Sequence, residues 1–364
     1  MALLSLFVQR RRPDIGYTPQ LTVLISAYNE EATIGEKIGQ TLSLEYPHDK
    51  LEVLVVSDGS SDQTDEIVKS CPDPRVQLLR IEERLGKTHA QNEGVKLSTG
   101  EIIVFSDATA TYHSKALLYL AAPYADPRVG AVSGRYRYFD PTEASVSPTG
   151  FGSIVFWDYE HTIKLLQSRI GYLTGCSGCI YSVRHRNYVS LPPDSCSDLV
   201  EPLYIIRNGY RVDYEDRALA YEETTRSLLQ EFEMRVRVAA RGMRGVLSVP
   251  ELLLPWRHPW TAFQLTSHKM GRWIAPFLLI LLFVGSAFDR GSPFLNTLFC
   301  LQVLFYCLGF VCLVLPLHRY CKPLGLPLFF CTVNAAVLVA LLEVLRGRKF
   351  TIWETVRQRA QAKL

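Results

Sequence analysis

Residues Val104–Ala110 read VFSDATA and follow the apolar residues at 102 and 103. A short apolar run bounded by polar residues is typical of a buried strand, and we predict a strand over Glu101–Ser106. Asp107 would then stand where that strand ends. Ligands of open α/β sheets bind outside the carboxyl ends of the strands, so an acid at this place indicates a ligand or metal site.

The sequence before this stretch alternates between apolar strands and helical patterns. Strands are predicted over Leu21–Ser26, Leu51–Ser57 and Val76–Arg80, and helices over Glu30–Leu44, Asp62–Ser70 and Thr88–Leu97. Strands separated by helices imply a parallel sheet with right-handed crossovers. The segments Ala27–Glu30, Asp58–Ser61 and Asp107–Thr111 each follow or end a strand, so they are expected to converge on one cleft.

Two of the connecting loops carry residues that suit a nucleotide. Asp58 ends a predicted strand, where its carboxylate could accept from a ligand N–H or cap the next helix. Lys87 lies just ahead of a helix, which suits a diphosphate as well as it suits a solvated surface lysine. The chain has no G-x-x-x-x-G-K-[ST] loop and no G-x-G-x-x-G after the first strand, which disfavours classical nucleotide hydrolysis and dinucleotide redox chemistry.

The carboxyl-terminal part of the 364-residue chain is far more apolar than the rest. Its three apolar runs are Ile274–Phe288, Phe294–Leu317 and Leu326–Leu345. A helix that spans a bilayer needs roughly 20 such residues, so about three transmembrane helices are predicted in 274–345. The Trp-rich segment 246–273 before them is typical of an interfacial amphipathic segment. The net charge of +3 gives no indication of nucleic-acid binding.

The two ends of the chain bear on membrane orientation. The amino-terminal extension, 1–20, lacks the pattern of an export signal, so the head is expected in the cytoplasm. Three spans would place the basic tail, 346–364, on the side opposite Lys269 and Arg272, which precede the first span. The positive-inside rule cannot satisfy both ends, which leaves open whether one run is re-entrant or interfacial.

Four motifs occur in order along the head: SAYNEE (26–31), VVSDGSSDQTDEIV (55–68), GKTHAQNEG (86–94) and FSDATATY (105–112). This set resembles the nucleotide-sugar half of family-2 glycosyltransferases, and its spelling is similar to membrane-anchored bacterial enzymes related to cellulose and hyaluronan synthases. The resemblance covers 21–245. It implies a GT-A fold, which is an α/β, Rossmann-like head with a mostly parallel sheet, and a UDP-sugar as donor.

The resemblance also implies roles for single residues. The residues expected to bind the nucleotide sugar are Ala27, Tyr28, Glu30, Asp58 at the uracil ring, and Lys87 near the base or diphosphate. Asp107 matches the first acid of the family's D-x-D motif, which faces the diphosphate and its Mg²⁺ or Mn²⁺.

The acceptor side resembles the family in two further stretches. TGCSGCIYSVR (174–184) is similar to the floor of the acceptor site, which implies that Gly175, Ser177 and Gly178 lie there. SDLVEP (197–202) stands where the family has T-E-D, which implies that Asp198 is the general base. Inverting transfer needs a carboxylate that deprotonates the acceptor hydroxyl. Helix capping is the alternative role of Asp198, and Glu201, one turn on, is the fallback base.

Two departures from the family pattern qualify these expectations. In place of Q-x-x-R-W the chain has MRVRV, so Arg237 keeps the arginine but Val238 replaces the tryptophan, which argues against processive polymer synthesis. Arg237 is expected at the diphosphate, although its basic helix suits anionic lipid equally. Thr109 replaces the second acid of D-x-D. A divalent ion can take oxygens from phosphates and water, so metal-dependent activity with weakened metal affinity is expected.

These features predict a membrane-bound inverting glycosyltransferase, multi-pass in the inner or plasma membrane, with a glycan or lipid-linked acceptor. One alternative is a polyprenyl-phosphate sugar transferase, which the arginines favour. Asp198 argues against it because a phosphate acceptor needs no base. The other alternative is a catalytically inactive sugar-nucleotide-binding subunit. Thr109 and Val238 favour that alternative, whereas the retained Asp58, Lys87, Asp107 and Asp198 disfavour it.

Overall fold

The computed structural model describes residues 13–139, 150–170, 172–223, 228–289, 291–315, 317 and 320–352. Most of the extension 1–20 and of the tail 346–364 therefore lies outside the described residues. The strands are β1 (Leu21–Ala27), β2 (Leu51–Asp58), β3 (Val76–Ile81), β4 (Ile102–Asp107), β5 (Thr111–Tyr112), β6 (Val129–Phe139), β7 (Ile180–Arg184) and β8 (Arg211–Glu223). The head helices are α1 (Ile34–Leu42), α2 (Thr64–Lys69), α3 (Lys87–Leu97), α4 (Ala116–Ala121), α5 (Gly150–Ile170), α6 (Ser197–Arg207) and α7 (Leu228–Leu247).

The strands form one sheet in the order β3-β2-β1-β4-β7-β6-β8-β5. The predicted strands β1 to β4 are mutually parallel. β7 then runs antiparallel to both β4 and β6, and β5 runs antiparallel to β8. The sheet is therefore parallel over β1 to β4 and mixed beyond β4, where the sequence had predicted no strands.

Helices cover both faces of the sheet because successive strand residues point to opposite sides. On one face, Val23 of β1 belongs to the same buried cluster as Ile38 of α1. On the other face, Leu24 shares a buried cluster with Ala90 of α3 and Leu203 of α6. The central strands are therefore apolar on both faces, as expected for parallel strands between two helix layers.

The first helix starts later than its pattern predicted. Helix α1 begins at Ile34, whereas the predicted helix began at Glu30. The intervening residues make a turn, in which Asn29 has a φ of 53° and the Glu30 N–H donates to the Thr64 hydroxyl at 2.8 Å. This turn connects the end of β1 to the start of α2, so residues 30–33 do not extend helix α1.

The chain after the head continues in apolar helices. Helix α8 (Pro259–Gln264), a π-helical turn (Leu265–Met270) and α9 (Gly271–Phe288) form one continuous helix of 30 residues. It is followed by α10 (Pro293–Val314) and α11 (Gly325–Leu345). All three are long and apolar enough to cross a membrane. The predicted interfacial segment, 246–273, thus merges with the first of them, with Trp256 76% exposed before α8.

Candidate active site

The three predicted loops meet at the carboxyl ends of β1, β2 and β4. In the sheet register, Ser26 pairs with Asp107 and Ala27 with Ser57. The backbone N–H of Asn29 donates to the Ser60 hydroxyl at 3.1 Å, so the loops after β1 and β2 are joined directly. The predicted convergence of these loops is therefore confirmed.

Asp58 organises the loop in front of α3. Its side chain is fully buried, and its two carboxylate oxygens accept from the backbone N–H groups of Leu85 at 2.9 Å and Gly86 at 2.8 Å. These bonds hold the residues that precede Lys87 against the end of β2. The contact of Asp58 with a nucleobase stays a prediction, because both oxygens serve the loop in this structure.

The other residues that were predicted to bind the nucleotide sugar lie at the same edge of the sheet. The ring of Tyr28 lies 3.6 Å below the guanidinium of Arg84, an arrangement that favours a cation–π interaction. The carboxylate of Glu30 accepts from the Thr33 hydroxyl at 2.8 Å. Ala27 is fully buried in β1.

Lys87 connects the end of β4 to the loop that contains Gly178. Its ammonium forms an ion pair with Asp107 and donates to the Gly178 carbonyl at 3.3 Å. Burial opposes the charge on Lys87, but the carboxylates of Asp107 and Asp198 outweigh it and raise the pKa of the lysine. Lys87 is therefore a cation held between two carboxylates, 31% of the Asp107 side chain remaining exposed.

The predicted base, Asp198, lies directly against the predicted acceptor loop, 174–179. A Cβ added to Gly178 would stand 3.0 Å from Asp198 Oδ2, so a larger residue there would crowd the carboxylate. The Cys176 N–H donates to the Asp198 carbonyl at 2.7 Å, and the Cys196 thiol lies 3.0 Å from Oδ1. Asp198 stands in the first turn of α6, where the family pattern put it.

Ser177 and Gly175 lie in the same loop but differ in their surroundings. The Ser177 hydroxyl accepts from Lys164 of α5 at 2.8 Å and donates to the Gly134 carbonyl at 2.9 Å, which holds it inside the fold. Gly175 faces the segment before α9, since a Cβ there would lie 3.6 Å from Lys269 Nζ. Lys164 therefore hydrogen-bonds this loop and Lys269 lies close to it, and neither lysine had been assigned to the site from the sequence.

A second carboxylate, which the sequence analysis missed, stands beside Asp107. The Thr109 hydroxyl donates to Glu222 of β8 at 2.7 Å. Burial and the nearby charge of Asp107 raise the pKa of Glu222, whereas hydrogen bonds from Thr109 and Tyr136 lower it. The threonine that replaces the second acid of D-x-D therefore holds an acid from another strand. No local pattern marks Glu222, because 113 residues separate it from Thr109.

A buried lysine lies behind these acids. Lys37 of α1 donates to the Ala110 carbonyl at 2.6 Å and lies 4.0 Å from the centre of the Tyr112 ring. Burial lowers the pKa of Lys37 to about 7, although Cys179, Asp107 and Glu222 act in the opposite direction. Burial therefore weakens the preference of this amine for its charged form.

Helix α7 contributes a cation that bridges the two sides of the cleft. Arg241 donates to the Thr88 hydroxyl at 3.0 Å and to the carbonyls of Asp194, at 3.3 Å, and Ser195. Arg237 lies one turn earlier on α7, so it shares a face with Arg241. The basic pattern of this helix was visible in the sequence, but the arginine that binds both loops is Arg241.

Glu201, the fallback base, is fully buried in α6. Its Oε1 accepts from the Val189 N–H at 2.9 Å, and its Oε2 has no partner within the described part of the chain. Burial raises the pKa of Glu201 to about 8. A carboxyl that is enclosed and protonated at neutral pH is poorly placed to take a proton from an acceptor.

Comparison with known proteins shows which sequences and folds the chain is similar to. Residues 22–189 match the profile of Glycosyl transferase family 2. The poly-beta-1,6-N-acetyl-D-glucosamine synthase of Staphylococcus aureus strain COL is 25% identical over 247 residues, which cover 65% of this chain and 58% of the synthase. The synthase of the same name from Staphylococcus epidermidis is 26% identical over 235 residues, which cover 62% of this chain and 55% of the synthase. The chain thus spans less than two thirds of the length of these relatives.

A solved structure extends the likeness to the whole chain. The mannosyltransferase from Pyrobaculum calidifontis, solved in complex with GDP-Man and Mn²⁺, has a TM-score of 0.71 and 23% identity over 94% of each chain. Residues 22–189 are therefore similar to glycosyltransferase family 2, and the chain has the GT-A fold, as its motifs predicted.

Proposed function

We propose that the protein is a membrane-bound inverting glycosyltransferase that moves a sugar from a nucleotide sugar to a hydroxyl acceptor at the membrane. One observation carries the proposal. Lys87 contacts both the strand-end acid Asp107 and the acceptor loop at Gly178, and Asp198 lies against that same glycine. A donor diphosphate at Asp107 and an acceptor at Asp198 would therefore meet across a single lysine.

Each of these residues has a role in the proposed transfer step. Asp198 takes the proton of the acceptor hydroxyl as its oxygen forms a bond to the anomeric carbon. The bond from that carbon to the diphosphate breaks, and the nucleoside diphosphate leaves with the electron pair. Lys87 and Arg241 supply positive charge near the departing phosphates, where it stabilises the transition state more than the substrate.

The residues beside Asp107 fit a divalent cation. Asp107, Thr109 and Glu222 offer hard oxygen atoms of the kind that Mg²⁺ and Mn²⁺ prefer. No cluster of three or more potential His, Cys, Asp or Glu ligands occurs in the described ranges, so the diphosphate and water would complete the coordination. When bound, the ion supplies positive charge at the leaving diphosphate. Without the ion, the ammonium group of Lys87 supplies the positive charge beside the Asp107 carboxylate.

The finer assignments follow the resemblance of the motifs. We infer a UDP-sugar as donor, a glycan or lipid-linked acceptor, and a head on the cytoplasmic side of the cell membrane, where Lys269 and Arg272 flank the first apolar helix. The named synthases make a polymer, whereas Val238 stands 49% exposed in place of the family's tryptophan. We therefore propose that the protein adds a single sugar or a few sugars instead of a long polymer.

One observation favours a second acceptor class, polyprenyl phosphate. Lys269 reaches Gly175 from the helix that enters the membrane, and Lys164 lies beneath the same loop. These two ammonium groups would suit an acceptor that carries phosphate. Asp198 would then have no proton to remove, so the effect of its neutralisation distinguishes the two acceptors.

The test is diphosphate release by the purified protein in lipid nanodiscs with a panel of nucleotide sugars that includes UDP-GlcNAc, UDP-glucose and GDP-mannose. We expect turnover with one donor in the presence of Mn²⁺ or Mg²⁺. Asp198→Asn should abolish transfer to a hydroxyl acceptor and leave donor binding intact, whereas Asp107→Asn should weaken donor binding in the presence of metal. Donor binding without turnover, for every donor and for both acceptor classes, would identify an inactive sugar-nucleotide-binding subunit.

A further inference from the structure

The third apolar helix, α11, differs from the other two in its contacts. Within the protein, 39% of its most apolar window is buried, against 11% and 17% for the windows of the α9 and α10 helices. Its small residues Ala336 and Ala340 belong to one buried cluster with Val236 and Ala240 of α7. Helix α11 therefore packs along a helix of the head.

The head helix that α11 covers is itself part of the active-site scaffold. On α7, Gly242 and Gly245 approach Leu199 and Val200 of α6, the helix that begins just before Asp198. Helix α11 thus forms a layer outside α7, which in turn lies outside α6. This order of layers places the middle of α11 beside the head and not across the bilayer from it.

The start of α11 also contacts the head. Near its start, Phe329 lies against Gly152 and Phe156 of α5, and the guanidinium of Arg235 is 5.4 Å from the centre of the Phe329 ring. The start of α11 also meets the last half of α10, where Pro327 packs against Gly309. The chain therefore returns from α10 to the level of the head before α11 begins.

The chain after α11 contacts Gly86, in the loop before α3. Gly347 has a φ of 75°, a left-handed conformation that ends the helix and reverses the chain. Phe350 then packs on the cluster shared by α7 and α11, and the Thr351 carbonyl occupies the place where a Cβ of Gly86 would stand. A helix of 21 residues is about 31 Å long, so a spanning α11 would carry Thr351 to the far membrane surface.

We propose that α11 does not cross the membrane. It lies at the head-side surface of the bilayer, with one face on α7 and α5 and the opposite face in the lipid, and only α9 and α10 cross. The lipid-facing side carries apolar residues such as Ala335, Leu342 and Leu345, which are exposed in the protein alone. An apolar face of this kind, on a helix whose other face is occupied, suits the boundary between headgroups and acyl chains.

This arrangement also resolves the conflict in the distribution of basic residues. With two crossings, Arg346 and Arg348 lie on the same side as Lys269 and Arg272. Both of these tail arginines pair with Glu343 near the end of α11. The basic residues at both ends of the membrane region then obey the positive-inside rule together.

Topology reporters on the full chain test the proposal without reference to enzyme activity. Alkaline phosphatase is active only when exported, and green fluorescent protein fluoresces only when it stays in the cytoplasm. We expect a phosphatase inserted after Asp289, between α9 and α10, to be active. The same phosphatase after Leu364 should be inactive, and green fluorescent protein there should fluoresce. An active phosphatase after Leu364, together with a cytoplasmic head, would establish three crossings and overturn the proposal.

A short epitope tag after Leu364 guards against effects of a large fusion. In sealed inside-out membrane vesicles, an antibody should reach this tag and a second tag at the amino terminus equally. In right-side-out vesicles it should reach neither tag until detergent is added. Antibody binding to the carboxyl-terminal tag alone in right-side-out vesicles would contradict the two-crossing arrangement.

Discussion

Replacing Glu201 by Gln should stabilise the protein in a pH-dependent way and leave sugar transfer intact. The pKa of this buried carboxyl is about 8, against 4.5 for an exposed glutamate. Because the folded pKa is raised, the stability linked to this proton is complete below about pH 4.5 and is lost as the pH rises through 8. Gln is neutral at every pH and keeps an oxygen that can accept from the Val189 N–H.

The size of the effect follows from the shift of the pKa. Each pH unit between these two values costs the wild type about 1.4 kcal/mol, which amounts to about 3 kcal/mol at pH 7 and about 5 kcal/mol above pH 8. For a head of this size, 1 kcal/mol corresponds to about 2–4 °C in Tm. Glu201→Gln should therefore raise the Tm by about 6–12 °C at pH 7 and by about 2 °C at pH 5.

The assay is thermal unfolding in detergent from pH 5 to pH 8, followed by tryptophan fluorescence, with transfer measured on the same samples. Asp198→Asn, the same chemical change one turn earlier on α6, is the matched variant and should abolish transfer to a hydroxyl acceptor. Parallel Tm profiles for wild type and Glu201→Gln would refute the assigned burial penalty. Loss of transfer in Glu201→Gln, with Asp198→Asn active, would make Glu201 the base.

Three other substitutions test the site and its support. Glu222→Gln should weaken Mn²⁺ binding about 10- to 100-fold, as measured by electron paramagnetic resonance with nucleoside diphosphate present, whereas the exposed Glu45→Gln should not change it. Gly86→Ala forces a side chain into a φ of 101° and against the Thr351 carbonyl, so donor affinity should fall, whereas Gly39→Ala in open space on α1 should leave donor affinity unchanged. Ala340→Leu should overpack the contact between α7 and α11 and lower stability by about 1–3 kcal/mol in chemical denaturation. Unchanged metal binding, donor binding or stability would contradict the respective assignment.

Local patterns were sufficient to predict the parallel part of the sheet, β1 to β4. The strand ending at Asp107, the strand β1 that pairs with it and the next strand β2 all follow from apolar runs separated by helical periodicity. Such patterns are reliable where a parallel strand is buried on both faces, because nearly every residue in it must then be apolar. The strands beyond β4 gave a weaker signal, since they are antiparallel or lie toward the sheet edge.

What the sequence by itself determined is the set of chemical groups: the acid at 107, the lysine at 87, the candidate base at 198 and three helices apolar enough for a membrane. What only the tertiary structure decided is which distant groups join them. Glu222 reaches Thr109 across 113 residues, and the carbonyl of Thr351 lies on Gly86. The hydropathy of a helix indicates that the helix is stable away from water. It does not indicate whether lipid or another protein surface surrounds it. Only the packing of α11 on α7 distinguishes the two, because contacts between distant segments leave no periodic trace in the chain.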